Sequence, residues 1–314
     1  MNKGHKASHP GQIPLAGWWA ISRRIFRKMA DDRLPLIAAG VAFYFLLALF
    51  PLLAAFISLY GLLVDSQQLT QHLDAMVGIL PYDSRQLLLE HAGRLVGSSQ
   101  ATLSMGALLS LLFALWSGSR GAQALMSASN ITYGEAEDRG WLKGLLMRLA
   151  LTLGAVVFLV ISLSLITWLP LLLESIGLGR IGEQLFSGLT WPFLALIFSL
   201  GLSLMYRYAP YRRRAKWRWI TPGSAIATLL WLMASAAFSL YVSEFSRYNE
   251  TYGSLGGIVI LLMWLYLSAY IILFGAEFNA ATEHQTNQDS TKGPDKPMGE
   301  RGAYVADTLP DKDS

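Results

Sequence analysis

The sequence predicts an all-α protein, a polytopic membrane helical bundle of six transmembrane helices. Hydrophobic residues make up 53% of the 314 residues and charged residues only 15%, whereas a soluble domain usually carries about 25% charged residues. Each predicted span is an uncharged apolar run that meets the roughly 20 residues that a helix needs to cross the bilayer. The six runs are 34–64, 101–119, 149–173, 184–206, 219–243 and 251–276.

The first span is the longest, and prolines are expected to break spans one, four and five. At 1.5 Å per residue the run 34–64 would reach about 46 Å, so it must tilt, kink or extend into the interface. Pro51, Pro192 and Pro222 lie in spans one, four and five and predict helix breaks there. A transmembrane barrel is excluded because barrel strands alternate apolar and polar residues, and these runs do not.

Lysine and arginine predict the orientation. With the N-terminus inside, the inner segments hold 21 of the 25 basic residues and the outer segments hold four. Basic residues in short loops stay on the cytoplasmic side. We therefore expect a bacterial inner-membrane protein with six spans and both termini in the cytoplasm.

The chain divides into three parts on this interpretation. Residues 1–33 form a cytoplasmic segment with an interfacial helix, 34–280 form the transmembrane domain, and 281–314 form a disordered tail without apolar periodicity. The first periplasmic loop, 65–100, shows two short amphipathic helical patterns. Packing on the bundle is favoured for them over docking of a lipid or a partner protein.

The N-terminal helix is predicted over residues 18–29. An apolar arc and a basic arc face opposite ways at 100° per residue, which places the helix in the interface against anionic headgroups. The apolar arc holds Trp18, Trp19, Ile21, Ile25, Phe26 and Met29, and the basic arc holds Arg23, Arg24, Arg27 and Lys28. A topogenic anchor is favoured over a regulatory lipid sensor.

Ionisable residues are absent from the centres of the predicted spans. Because buried charges usually mark proton relays or ion paths, this pattern argues against a proton-driven pump and favours a lipidic or neutral substrate. At the inner edges lie Arg120 and Glu277. Glu277 could pair with Arg120 or a basic loop residue, or be hydrated at the interface. Gly253 and Gly257 form a GxxxG pattern, for which helix packing is favoured.

Catalytic and metal-binding patterns are not found. The sequence has no cysteine, and its five histidines lack metal-ligand spacing. P-loop and nucleophile-elbow motifs are also missing. We therefore expect no enzyme, catalytic residue, metal or cofactor. The basic and aromatic stretch 207–219 resembles an RNA surface, but a short cytoplasmic loop explains it better, so no nucleic-acid partner is expected.

Several stretches resemble the YihY/BrkB family of bacterial inner-membrane proteins. They are AAGVAFYFLLALFPLLAA at 38–55, WSGSRGAQALMSASNITYG at 116–134 with Arg139, YRYAP at 206–210, PGSAIATLLW at 222–231, and the long stretch at 238–280 with its Tyr-Gly and Gly-Ala-Glu. The resemblance implies the same six-span plan. It also brings the label ribonuclease BN, which we interpret as a misassignment because the His-x-His-x-Asp-His motif of the zinc hydrolases is missing. Family members have been linked to envelope integrity and proposed as transporters.

Three functions follow as hypotheses. The first is a non-enzymatic transporter or a component of envelope lipid handling, with membrane lipids as partners. The second is a membrane-bound ribonuclease, and the third is a scaffold that recruits envelope proteins. The candidate residues combine position in the family-like stretches with polar or steric character; they are Arg120, Asn130, Tyr252, Gly253 and Glu277.

Overall fold

The computed structural model describes residues 4–63, 100–175, 179–245 and 254–310. Helices make up most of these residues, which confirms the predicted all-α class. The described residues contain eight α-helices, which are α1 Leu15–Asp31, α2 Leu34–Leu63, α3 Gln100–Tyr133, α4 Trp141–Ser175, α5 Gly179–Tyr208, α6 Thr221–Phe245, α7 Ser254–Glu283 and α8 Tyr304–Asp307. The predicted periplasmic helices in 65–100 lie outside the described residues.

Three of the described helices are long and apolar enough to cross a bilayer. They include Trp141–Ser162 of α4, Thr221–Val242 of α6 and Gly256–Glu283 of α7. A fourth candidate is α1 together with the first half of α2, a pair bent by 63°. The predicted number of six spans therefore stays a prediction.

Two helices extend well beyond their predicted spans. α3 has 34 residues and α4 has 35, so each is about 50 Å long, whereas the hydrocarbon core is about 30 Å. Residues 120–133, predicted as part of an inner loop, are the last turns of α3. The predicted spans end where the apolar run ends. The helices continue further because a polar residue can also adopt helical structure outside the hydrocarbon core.

The predicted helix breaks at proline are not seen as interruptions. Pro51 lies inside α2 and Pro192 inside α5, and Pro222 is the second residue of α6. A proline removes one backbone hydrogen bond, and neighbouring groups in a membrane helix can compensate for it. In the first helical turn no such bond is lost.

The chain clusters into two compact units. The first contains residues 1–38, 122–233 and 270–314, and the second contains 39–121 and 234–269. The candidate site described below lies within the first unit.

Within the first unit, α4, α5 and α6 pack side by side. Phe198 of α5 contacts Phe158 of α4 at 5.8 Å and Trp231 of α6 at 4.8 Å between ring centroids. Nearer the end of α5, the Ser203 hydroxyl lies 2.6 Å from that of Ser224. Ser203 precedes the end of α5 and contacts the start of α6, whereas Phe198, earlier in α5, contacts Trp231, later in α6. These two helices are therefore antiparallel.

Two glycines allow α6 and α7 to approach closely. A Cβ atom on Gly223 would collide with the carbonyl oxygen of Gly275, and a Cβ on Gly275 would collide with Tyr206 and Ala227. The Tyr206 hydroxyl also donates to the carbonyl of Ile272 at 2.7 Å. This close contact was not predicted, because neither glycine belongs to the GxxxG pattern.

The C-terminal tail differs from the predicted disorder. Its backbone pairs with the loop after α5, since Lys216 N donates to Ser290 O and Lys292 N donates to Arg214 O, both at 2.8 Å. Buried Arg301 donates to the carbonyl of Ala306 at 2.7 Å. Backbone and side-chain hydrogen bonds hold this segment, and such bonds leave no apolar periodicity in the sequence.

We call residues 4–33, the loops 134–140 and 209–220, and the tail 284–310 the terminal assembly. The backbone N–H of Asn287 donates to His5 O at 2.8 Å, and that of Tyr304 donates to Glu135 Oε1 at 2.8 Å. All these segments belong to the first unit.

The N-terminal helix α1 exists, but its faces differ from the prediction in part. On the apolar arc, Ile21, Ile25 and Met29 are buried within the protein, whereas Trp19 and Phe26 are 76% and 70% exposed. Arg24, predicted on the basic arc, is buried and donates to the Ala281 carbonyl at 3.2 Å. The reason is that α1 packs on the end of α7 with the face that carries Arg24.

Candidate functional site

Glu277 lies in a buried polar cluster at the end of α7. Its side chain is fully buried, and the Nζ atom of Lys28 in α1 lies 3.7 Å from its Oε1. The same Nζ donates to the carbonyl of Thr132 at 2.6 Å. Within the part of the chain that the structure describes, neither carboxylate oxygen of Glu277 has a hydrogen-bond partner. Lys28 of α1 therefore contacts α3 through the Thr132 carbonyl and α7 through the buried carboxylate of Glu277.

Asn130 connects two loops of the terminal assembly. Its Nδ2 donates to Glu137 Oε2 and its Oδ1 accepts from the Tyr211 backbone N–H, both at 2.7 Å. Glu137 pairs with Arg139 at 3.0 Å, and Arg139 donates to the Ala209 carbonyl at 2.8 Å. Asn130 is therefore a positioning residue that holds the loop 134–140 against the loop after α5.

A basic pocket lies where these loops meet the ends of α4 and α5. It has a volume of about 160 Å³. We call it the arginine pocket; its lining residues are Arg139, Met147, Arg207, Tyr208, Pro210, Tyr211, Arg212 and Arg214. It contains four arginines and no acidic residue among its lining side chains.

Arg207 and Arg214 are arranged around aromatic rings. The Arg207 guanidinium lies 4.3 Å from the ring centroid of Trp217 and 5.9 Å from that of Tyr208. Arg214 lies 4.7 Å from the centroid of the same Tyr208 ring. Aromatic faces attract cations, so the rings hold both guanidiniums at the pocket.

Arg212 joins the pocket to a buried ion pair. Its guanidinium donates to both carboxylate oxygens of Glu283, with exposures of 3% and 0% for the two side chains. It also lies 4.9 Å from the ring centroid of Tyr133. Burial opposes the charged form of Arg212, but the Glu283 carboxylate raises its pKa above the ordinary value. Burial also raises the pKa of Tyr133 well above its ordinary value.

The predicted site residues lie in different surroundings. Asn130 and Glu277 both lie in the first unit and are buried. Arg120 is exposed on α3, 5.5 Å from the ring of Trp116. The predicted partners of Glu277 are Arg120 or a basic loop residue, whereas the cation found beside it is Lys28 of the N-terminal helix. Tyr252 and Gly253 lie outside the described residues.

Sequence reasoning missed several residues of the site. Arg207, Arg212 and Arg214 belong to the stretch that was explained by topology alone. The sequence does contain an indication of them, because these arginines are interspersed with Tyr208 and Trp217, a pattern typical of cation–π contacts. For Lys28 no local signal exists, because its partner is about 250 residues away in the sequence.

Comparison with known proteins identifies the family. The family model described as virulence factor BrkB matches residues 25–299. The chain belongs to the BrkB family. The BrkB match covers every segment that lines the arginine pocket, as well as Asn130 and Glu277.

Individual relatives agree with this assignment. The chain is 32% identical over 233 residues to the putative ribonuclease-like protein YfkH of Bacillus subtilis, covering 71% of this chain and 81% of the relative. It is 29% identical over 247 residues to a UPF0761 membrane protein of Tolumonas auensis, covering 75% and 76%. No solved structure matches. The chain is therefore a membrane protein of the BrkB family, with apolar helices suited to a bilayer.

Proposed function

We propose that this BrkB-family protein is a non-enzymatic inner-membrane protein that handles lipid. In this proposal it has six spans, the terminal assembly faces the cytoplasm, and the arginine pocket lies at the depth of the lipid headgroups. The basic-residue distribution supports the orientation, because 21 of 25 lysines and arginines fall in the segments assigned to the inside.

The observation that carries the proposal is the surface leading to the arginine pocket. On α5, Leu196, Leu200 and Leu204 are exposed at four-residue spacing, and the next residue in this row is Tyr208 of the pocket. On α4, exposed Leu146 lies next to Met147 of the pocket, and the apolar surface continues to Leu153 and Val157. A polar pocket at the end of apolar rows matches an amphiphile with a polar head and acyl chains.

The length of the apolar row on α5 also matches the length of an acyl chain. From Arg207 to Leu196 a helix rises about 16 Å, which is close to half of the roughly 30 Å hydrocarbon core. An acyl chain of one leaflet extends over the same depth. A substrate whose head lies in the pocket would therefore keep its tail on the exposed rows of α4 and α5.

Two measurements test this function. In vesicles that contain the purified protein, we expect tail-labelled phospholipid to exchange between leaflets faster than in protein-free vesicles. A strain without the protein should show an altered distribution of phospholipid between its membranes, restored by the wild-type chain. Unchanged exchange together with unchanged lipid distribution would refute lipid handling.

The ribonuclease hypothesis is the second candidate because of the name of the Bacillus subtilis relative. Within the described residues, no group of three or more His, Cys, Asp or Glu could hold a metal ion. The decisive assay incubates purified protein, free of soluble nucleases, with RNA and added Zn²⁺ or Mg²⁺. Protein-dependent cleavage would establish the ribonuclease and contradict the non-enzymatic proposal.

A further inference from the structure

The arginine pocket holds more positive charge than its neighbours neutralise. Arg139 pairs with Glu137, and Arg212 pairs with Glu283. For Arg207 and Arg214, the described part of the chain offers aromatic rings but no carboxylate within ion-pair distance. Among the described residues, two of the four guanidiniums therefore lack a counter-charge.

Arg207 is the stronger of the two indications. Its side chain is only 6% exposed, and among the described residues its Nε and Nη1 atoms are buried without a hydrogen-bond partner. Burying a cation is costly unless it is paired and hydrogen-bonded. The ring of Trp217 at 4.3 Å compensates for part of the charge, but it accepts no conventional hydrogen bond from these two nitrogens.

The pocket has room for the missing anion. A single water needs roughly 10–15 Å³ of cavity space, and the arginine pocket offers about 160 Å³. A tetrahedral oxyanion with four oxygens fits within this volume. Guanidinium groups match phosphate oxygens in geometry as well as charge.

We propose that Arg207 and Arg214 bind a phosphate group in the arginine pocket. The choice of a phospholipid headgroup as its source rests on the proposed function, since it uses the apolar rows of α4 and α5. A free phosphate would satisfy the same two guanidiniums. RNA also carries phosphate, but the rows of exposed leucines next to the pocket offer nothing to a nucleic acid and suit an acyl chain.

The test measures binding to the full chain purified in detergent. The probes are inorganic phosphate, short-chain phosphatidylglycerol, a short-chain diacylglycerol without phosphate, and a single-stranded RNA oligonucleotide. The variants are Arg207→Gln and Arg214→Gln. Arg218→Gln is the matched control, because Arg218 is exposed in the same segment and does not line the pocket.

We expect phosphatidylglycerol to bind the wild type and the diacylglycerol not to bind. Each pocket variant should weaken binding by roughly 10- to 100-fold, which is typical for the loss of a charged hydrogen-bond partner. Arg218→Gln should stay within about twofold. If Arg207→Gln does not fold, exposed Arg214 still provides the test.

The outcomes separate the sources of phosphate. Arginine-dependent binding of inorganic phosphate supports the phosphate site. If inorganic phosphate binds and phosphatidylglycerol does not, the ligand is free phosphate. Equal binding to wild type and pocket variants, or arginine-dependent binding of RNA alone, would overturn the proposal. Leaflet exchange is not read in this assay. A bound phosphate without lipid exchange would refute only the proposed function, whereas exchange without arginine-dependent binding would refute only this site.

Discussion

Replacing Glu283 with glutamine should strongly destabilise the terminal assembly. The Glu283 carboxylate is fully buried, accepts from Arg212 Nη1 at 3.1 Å and from the Ser290 hydroxyl at 2.6 Å, and also pairs with Arg212 Nη2. Glutamine keeps the shape but presents an NH₂ group where an oxygen accepted a hydrogen bond. The Arg212 guanidinium would then be a buried cation without its counter-charge.

The expected loss follows from burial. Removing one partner of a buried ion pair typically costs about 3–5 kcal/mol. The matched control is Asp295→Asn, because Asp295 pairs with Lys216 at 3.0 Å but is 78% exposed. An exposed pair contributes only about 0–1 kcal/mol. In both variants a basic residue of the loop 209–220 loses its carboxylate partner, buried in one case and exposed in the other, so the two should differ by at least about 2 kcal/mol.

Equilibrium unfolding of the detergent-solubilised chain, followed by tryptophan fluorescence, measures this difference. Limited proteolysis of the tail provides a local readout, since Glu283 also holds Ser290. The double variant Arg212→Met with Glu283→Gln should recover part of the loss, because it removes the unpaired cation. If Glu283→Gln proves as stable as Asp295→Asn, the pair does not hold the assembly and the reasoning from burial is wrong.

Two further predictions concern the same unit. Burial, with the charges of Arg24 and Lys28, lowers the pKa of His284 to about 4. Since the unfolded chain takes up this proton near pH 6.5, stability should fall by up to roughly 3 kcal/mol as the pH drops from about 6.5 to 4, and His284→Asn should flatten this part of the unfolding profile. Gly223→Ala should cost roughly 1–3 kcal/mol because its Cβ meets the backbone of α7. In contrast, Gly201→Ala, with open space around it, should be neutral or slightly stabilising. Equal unfolding of the two glycine variants would contradict the close approach.

Features that depend on the local composition of the chain could be predicted from the sequence. Helical class and the approximate positions of α4, α6 and α7 follow from long uncharged runs, because burial in lipid requires such runs wherever the helix packs. The bend between α1 and α2 falls where the polar N-terminal segment ends, at Arg33, which has a φ of 50°. Each of these depends on properties that are local in the chain.

Features that depend on distant partners could not be predicted. Lys28 reaches Glu277, and the tail residue Lys292 donates to the Arg214 carbonyl. Neither pairing leaves a periodic pattern. The polar residues that predict disorder in the tail also supply side chains that can bond to the backbone. Asp289 is an example, because its carboxylate accepts from the Thr291 backbone N–H at 2.8 Å and from the Thr291 hydroxyl at 2.7 Å. Composition alone does not separate these two outcomes.

The basic residues of the stretch 207–219 fit both a topological role and a ligand-binding role. A basic residue at a helix end satisfies the positive-inside rule whether it points into solvent or into a pocket, because the rule depends on charge and position only. Exposure distinguishes the two roles: Arg218 is exposed, while Arg207 is buried against Trp217 without a counter-charge in the described part of the chain. A purely topological arginine gains nothing from burial and loses its hydration. The burial of Arg207 is therefore the property that topology leaves unexplained, and an anion in the pocket would explain it.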